Sequence, residues 1–325
     1  MKRFDVICIG EVLIDLISQE PGKRLADVSL FKKFAGGAPA NVAVGLAKLG
    51  CQVAFAGKVG NDSFGRFLRK YLDDHDINTE ALIGDPQHNT RLAFVEIAGN
   101  GERAFEFSEK HPADSALKVD DFTIDLLKNS KIVHFGSLPL TIPANWKLFD
   151  KLISQLNQQN VLTSFDPNYR PTLWKSARSA RKALGNLAAR SQILKVSLEE
   201  GVFLTGIDDL EGLPAALFGP DTRLLSITMG ERGCILKNRN ITVKIPGFSV
   251  KVADMTGCGD AFTAGLLAKL IQSGKSPDDL NESELITFGQ YANAMAALTA
   301  TRLGATDALP RKIELEKFLK TLKLT

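Results

Sequence analysis

The stretch DMTGCGDAF (254–262) crowds one carboxylate, Asp260, with two glycines and a threonine just ahead of the apolar run TAGLLAKLI. Gly257 and Gly259 let the backbone turn tightly, so that successive N–H groups, that of Cys258 included, converge on one point. A helix beginning near Asp260 adds unpaired N–H groups and a partial positive charge, and together these suit an anion. A carboxylate beside such a cradle can aim a hydroxyl and take its proton while the N–H groups stabilise charge on a transferred phosphoryl group. The helix end favours the ionised form of Asp260, which predicts a weak base. Phosphoryl transfer tolerates one, because the proton leaves late. Plain helix capping is the competing role for an aspartate at such a position.

Far upstream lies FAGGAPANVAVGLAKLG (34–50). Gly36 and Gly37 allow a ligand to approach the backbone, and Asn41 opens a helix with an amide that both donates and accepts. Asp15, after the first predicted strand, is a further acceptor. Such a set suits a polyol, whose every hydroxyl needs a partner that replaces water. A glycine turn with an asparagine cap would use the same letters.

Placing two such motifs face to face requires a scaffold, and the chain spells one. FDVICIGEV (4–12), QVAFAGKVG (52–60), SKIVHFGS (130–137), NVLTSFDPN (160–168), SQILKVS (191–197) and RLLSITMG (223–230) read as strands. Between several of them run helical periods such as PANVAVGLAKLG (39–50), stopped by Gly50. The alternation predicts a mostly parallel sheet covered on both faces, with ligands gathered beyond the carboxyl ends of its strands. TRLAFVEIAGNGERAFEFSE (90–109) alternates by twos around Asn100-Gly101, which predicts an antiparallel hairpin. With no linker or repeat, residues 1–325 read as one catalytic domain carrying a β flap.

Bulk properties exclude several classes. At 44% hydrophobic and 24% charged residues the chain can bury a large core as a soluble protein. A net charge of +3 from scattered basic residues gives no support for binding nucleic acid or a membrane surface. The apolar start is broken by Glu11 and Asp15, so it reads as a buried strand and not a signal peptide. Cys8, Cys51, Cys234 and Cys258 form no metal-like or disulfide pattern, in keeping with a reducing cytoplasm. SGKS (273–276) lacks the first glycine of a phosphate loop, and the histidines form no H-E-x-x-H pair.

In this order, GGAPAN and DMTGCGDAF resemble the two signatures of the ribokinase-like (PfkB) carbohydrate kinases. The resemblance continues through GEVLIDL, GKVGNDSFG, FDPNYRPTLW, LKVSLEEGVFLTG, ITMGERG and YANAMAALTATRLGA, nearly the whole chain. It implies a three-layer α/β/α fold with a mostly parallel central sheet and a small β-sheet lid formed by about 13–34 and 88–110. It further implies that Asp260 is the catalytic base and that Gly257, Cys258 and Gly259 form an anion hole. Asp15, Gly36, Gly37 and Asn41 would hold the sugar, with Phe107 and Arg170 beside it. Thr228, Gly230 and Gly233 would approach ATP, and Asn293 would line the base pocket. Glu200 would tune Mg²⁺ through water, and Asp254 and Thr256 would lie by a monovalent cation such as K⁺. Apart from the resemblance, an apolar flap face carrying Phe105 and Phe107 wants cover, which predicts a homodimer through the lid. Two letters depart from the pattern. Ser197 replaces the usual asparagine of N-x-x-E, and Cys258 stands where alanine is commoner. A thiol at a helix start tends toward thiolate, which predicts oxidation sensitivity.

Within the family the chain is most similar to fructokinases, through LKVSLEEGVFLTG, HFGSLPL and TATRLGATDALP. FDPNYRPTLW also resembles 2-keto-3-deoxygluconate kinases, in which Arg170 would meet a substrate carboxylate; an Asp166–Arg170 ion pair fixing the turn is the other reading of that arginine. Arg91 and Arg103 on the predicted flap keep an acid substrate open, whereas Phe105 and Phe107 suit a neutral sugar. A catalytically silent nucleotide- or sugar-binding regulator is the alternative from another class. A nucleoside kinase would need an aromatic clamp that the sequence does not locate.

Overall fold

The computed structural model describes residues 2–98, 103–108, 111–118 and 121–322. The strand β1 (Phe4–Ile9) shows how its letters dictate the architecture. Val6 and Cys8 point into one apolar cluster while Ile7 and Ile9 point into another, so both faces of the strand are covered. The same division holds in β4 (Val53–Gly60), where Phe55 enters the first cluster and Ala54 and Ala56 the second. Burying one such phenylalanine contributes about 1.5–3 kcal/mol. The helices Ala38–Lys48, Cys258–Ser273 and Glu282–Ala300 fill the first layer; Ala144–Gln158 and Ala177–Arg190 fill the second.

Between these layers the described residues form a nine-stranded sheet. Its remaining strands are β5 (Leu82–Asp85), β8 (Ser130–Phe135), β9 (Leu162–Phe165), β10 (Ile193–Ser197), β11 (Leu224–Thr228), β12 (Cys234–Lys237) and β13 (Thr242–Ile245). The order is β13-β12-β11-β10-β9-β8-β1-β4-β5, parallel from β11 through β5 and antiparallel at β12 and β13. A smaller four-stranded sheet runs β3-β2-β6-β7, from β2 (Leu13–Ser18), β3 (Phe31–Gly36), β6 (Leu92–Ile97) and β7 (Arg103–Phe107). β6 and β7 pair antiparallel, with Val95 opposite Phe105, as period-2 alternation requires; the Asn100-Gly101 turn lies outside the described residues. Ile17, Phe34 and Val95 give this sheet a small apolar cluster of its own. Because β2 follows β1 within a few residues, Asp15 on β2 is carried to the carboxyl edge of the large sheet.

Candidate active site

The two glycine motifs meet. Asn41 Nδ2 donates to Asp260 Oδ2 at 2.7 Å, across the facing starts of two helices. The helix Cys258–Ser273 begins behind Gly257, whose φ of 78° requires the conformational freedom of glycine, and no side chain caps it. Asp260 is its third residue, so it does not cap, and Asn41 likewise lies one turn inside the helix Ala38–Lys48, behind Gly37 at φ 103°. Both side chains are buried, and Asn41 Oδ1 has no hydrogen-bond partner among the described residues.

Burial pushes the Asp260 carboxyl up to about 6; the Asn41 amide pulls the other way, Asp166 adds to the rise, and Lys195 and Arg170 oppose it. This corrects the weak base predicted from the helix end. Desolvation of a carboxylate outweighs the partial charge of a helix terminus, and the outcome is a carboxyl poised near neutrality.

Around Asp260 the backbone is an open donor set. Among the described residues the N–H groups of Gly257 and Gly259 have no acceptor, and that of Cys258 makes only a 3.3 Å bond to Met255 O. Asp254 braces the turn, accepting from Thr256 N–H at 2.9 Å and from Gly304 N–H at 2.8 Å. The predicted Cys258 thiolate is not borne out. Burial, then the charges of Asp254 and Asp260, push this thiol up to about 12.

On the opposite wall, Asp15 is buried beside Gly36, where a Cβ would overlap Asp15 Oδ2. A Cβ on Gly37 would stand 2.5 Å from the Glu11 carbonyl oxygen. Glu11, which the motifs did not single out, accepts from Ala38 N–H at 3.1 Å and is pushed up to about 8, chiefly by burial. Phe105 and Phe107 of β7 line the same cavity of about 920 Å³ as Asp15, Asn41 and Asp260. Arg91 does not. It is buried in an ion pair with Asp114 at 2.8 Å, its guanidinium 5.4 Å from the Phe107 ring. Arg170 is exposed and lines the cavity, and the alternative of an Asp166–Arg170 pair is not what forms. Asp166 instead pairs with buried Lys195 at 2.9 Å. Lys195 was missed because its partner is remote in sequence, although a lysine inside the apolar strand ILKVS was itself a signal.

Other expected residues lie apart. Thr228, Gly230, Gly233 and Asn293 do not line this cavity. The Asn293 amide donates to Pro246 O at 3.0 Å, and a Cβ on Gly233 would overlap Ile245 O, so both are tied to the end of β13. Glu200 does line it, but its two oxygens accept from Tyr169 N–H (2.7 Å) and Ser197 N–H (2.8 Å). Ser197, in place of asparagine, completes a capping box with that glutamate.

Compared with known proteins, residues 3–312 match the family described as pfkB family carbohydrate kinase. The chain belongs to this family. It is 40% identical to a protein of Arabidopsis thaliana named "Probable fructokinase-6, chloroplastic", over 94% of this chain and 80% of that one. A crystal structure of fructokinase with bound ATP from Xylella fastidiosa matches with a TM-score of 0.90 and 28% identity, covering 99% of this chain and 100% of that one. A fructokinase double mutant from Vibrio cholerae O395, in a fructose, ADP and potassium ion bound form, matches at 0.86 and 32% identity over 98% and 99%. The three-layer fold with its smaller sheet is therefore that of the ribokinase-like kinases, and the chain is a carbohydrate kinase by family.

Proposed function

We propose that the protein is an ATP-dependent fructokinase, transferring the γ-phosphoryl group of ATP to the primary hydroxyl of D-fructose. One observation carries this reading: a buried carboxyl near neutrality, Asp260, joined to Asn41 of the sugar-side motif and set beside unpaired backbone N–H groups. Asp15, Gly36, Gly37 and Asn41 hold the sugar, with Phe107 and Arg170 at its edge. Asp260 aims the hydroxyl and takes its proton as the sugar oxygen bonds to the γ-phosphorus. The bond from that phosphorus to the β,γ-bridging oxygen breaks, and ADP leaves with the electron pair. The N–H groups of Gly257, Cys258 and Gly259 stabilise the charge that spreads over the phosphoryl oxygens. Thr228, Gly230, Gly233 and Asn293 serve the nucleotide.

Mg²⁺ would supply further charge neutralisation on the nucleotide. No group of three His, Cys, Asp or Glu side chains among the described residues is placed to hold a metal, which fits an ion carried mainly by phosphates, with Glu200 reaching it through water. Asp254 and Thr256 shape the loop where a monovalent cation such as K⁺ would sit, a reading supported by the potassium ion of the Vibrio relative. Residues 1–325 act as one catalytic domain, with the small sheet as lid and as the surface of a homodimer. The free thiols suit the reducing cytoplasm, and no described helix is long and apolar enough to cross a membrane.

The Arg91–Asp114 pair removes a guanidinium that an acid substrate would use, which favours fructose over 2-keto-3-deoxygluconate. The test is ADP release with ATP and a panel of fructose, 2-keto-3-deoxygluconate, ribose and nucleosides. Fructose should give the highest kcat/KM. Preference for another alcohol would replace fructose in the assignment, and no turnover at all would return the silent regulator.

A further inference from the structure

Two oxygens on the sugar-side wall lack what their chemistry requires. Glu11 and Asn41 are only 6% and 4% exposed, and both line the cavity. Neither Glu11 Oε2 nor Asn41 Oδ1 has a hydrogen-bond partner among the described residues. Leaving a buried acceptor without a donor is costly, and native structures keep few. Both oxygens belong to one helix start. Glu11 lies against it, its Oε1 accepting from Ala38 N–H at 3.1 Å and its carbonyl oxygen 2.5 Å from where a Cβ would stand on Gly37. Asn41 follows one turn on, and a helical side chain leans toward the N-terminus, which carries its amide back over the turn that Ala38 begins. Its Nδ2 goes to Asp260 Oδ2, so Oδ1 needs a donor from elsewhere.

One proton supplies both oxygens. An ionised glutamate only accepts, whereas a protonated one carries an O–H. We propose that the Glu11 carboxylic acid donates its proton to Asn41 Oδ1 and is thereby a positioning residue, fixing the amide so that Nδ2 faces Asp260. The second Nδ2 hydrogen is then left for a sugar hydroxyl. Burial holds Glu11 neutral, up to about 8; Asp114 adds to the rise, while its backbone N–H donors and Arg91, itself paired with Asp114, oppose it. Asp15 shares this wall from β2. Beyond the amide, Asp260 faces Asp166, Lys195 and Arg170. Were Glu11 to ionise, its charge would draw Nδ2 across and turn Oδ1 toward the base. This rests on Asp260 acting as the base but not on which sugar is phosphorylated.

Glu11→Gln tests it, because the new amide donates to Asn41 and accepts from Ala38 at every pH. In the parent, the plateau that Asp260 sets above about 6 should end in a second limb, kcat falling about tenfold as pH rises through about 8. In Glu11→Gln that alkaline limb should be absent. A merely structural glutamate would change the height of the profile and not its shape. A second readout needs no substrate. In thermal melts near neutral pH, Glu11→Met and Asn41→Ala should together destabilise by less than the sum of their separate shifts, since either one breaks the shared bond. Coupled melts sustain that bond even if no sugar is turned over. An alkaline limb of unchanged midpoint in Glu11→Gln, or melt shifts that simply add, overturns the proposal.

Discussion

The helices Ala38–Lys48 and Cys258–Ser273 both start behind a glycine of positive φ, and neither has a side-chain cap. Their free N–H groups fare differently. In the first, Glu11 Oε1 takes the Ala38 N–H and Pro39 has none to offer. In the second, Gly257 and Gly259 keep theirs unpaired among the described residues, and Lys195 stands close by. At one terminus the first N–H is taken, the second is absent and carboxyl groups stand beside it, which suits a neutral polyol. The other is open and flanked by a cation, which suits a phosphate. On the proposed reading the same backbone device serves opposite ligands, and the neighbours decide which.

The sharpest way to break this contrast is Asp260→Asn, which keeps the shape and the Asn41 contact but removes the base. Turnover should fall roughly 10²–10⁴-fold while fructose affinity, read by calorimetry, changes little; full activity would deprive the second terminus of its chemistry. Gly37→Ala is next. A Cβ 2.5 Å from Glu11 O at φ 103° should cost about 1–3 kcal/mol of stability and raise the sugar KM about tenfold with the ATP KM unmoved. If the ATP KM rose instead, the two termini would have to exchange ligands.

The pH profile sharpens the comparison further. Asp260 must be ionised to act, so kcat should climb as pH rises through about 6 and level off above it. Stability runs the opposite way. A carboxyl raised from 3.8 to about 6 by folding favours the protonated native state, so its contribution falls as pH rises between those values. Thermal melts of Asp260→Asn should therefore gain on the parent from about pH 4 to 6, and a constant difference would remove the buried-acid assignment. Smallest is the effect of Cys258→Ala. Only the N–H at this position is used, so turnover should change by less than about twofold, and peroxide should inactivate the two proteins equally.

Much of the scaffold was legible. The apolar runs that became β1, β4, β8, β9, β10 and β11 needed no partner to be recognised, since a strand covered on both faces must be apolar at nearly every position. The hairpin of β6 and β7 was equally plain from alternation. At the site, both glycine turns, Asn41 and Asp260 are legible in the sequence because tight turns and helix starts have local signatures, and Asp15 because it is a carboxylate just after the first strand. Glu11 and Lys195 are not. Each takes its meaning from a partner distant in the chain, Ala38 for one and Asp166 for the other. The alternative reading of Arg170, a pair with nearby Asp166, fails because a lysine from the next strand takes that place.

By itself, then, the sequence determined which segments turn, which alternate and which begin helices, since backbone sterics and hydrophobic period act over a few residues. Tertiary structure alone decided that the Asp260 carboxyl is pushed up to about 6, that Cys258 stays a thiol and that the buried Lys195 ammonium stands beside the Gly257–Gly259 turn. Those properties come from desolvation and from charges brought together across the sheet, and neither exists until the chain has folded around them.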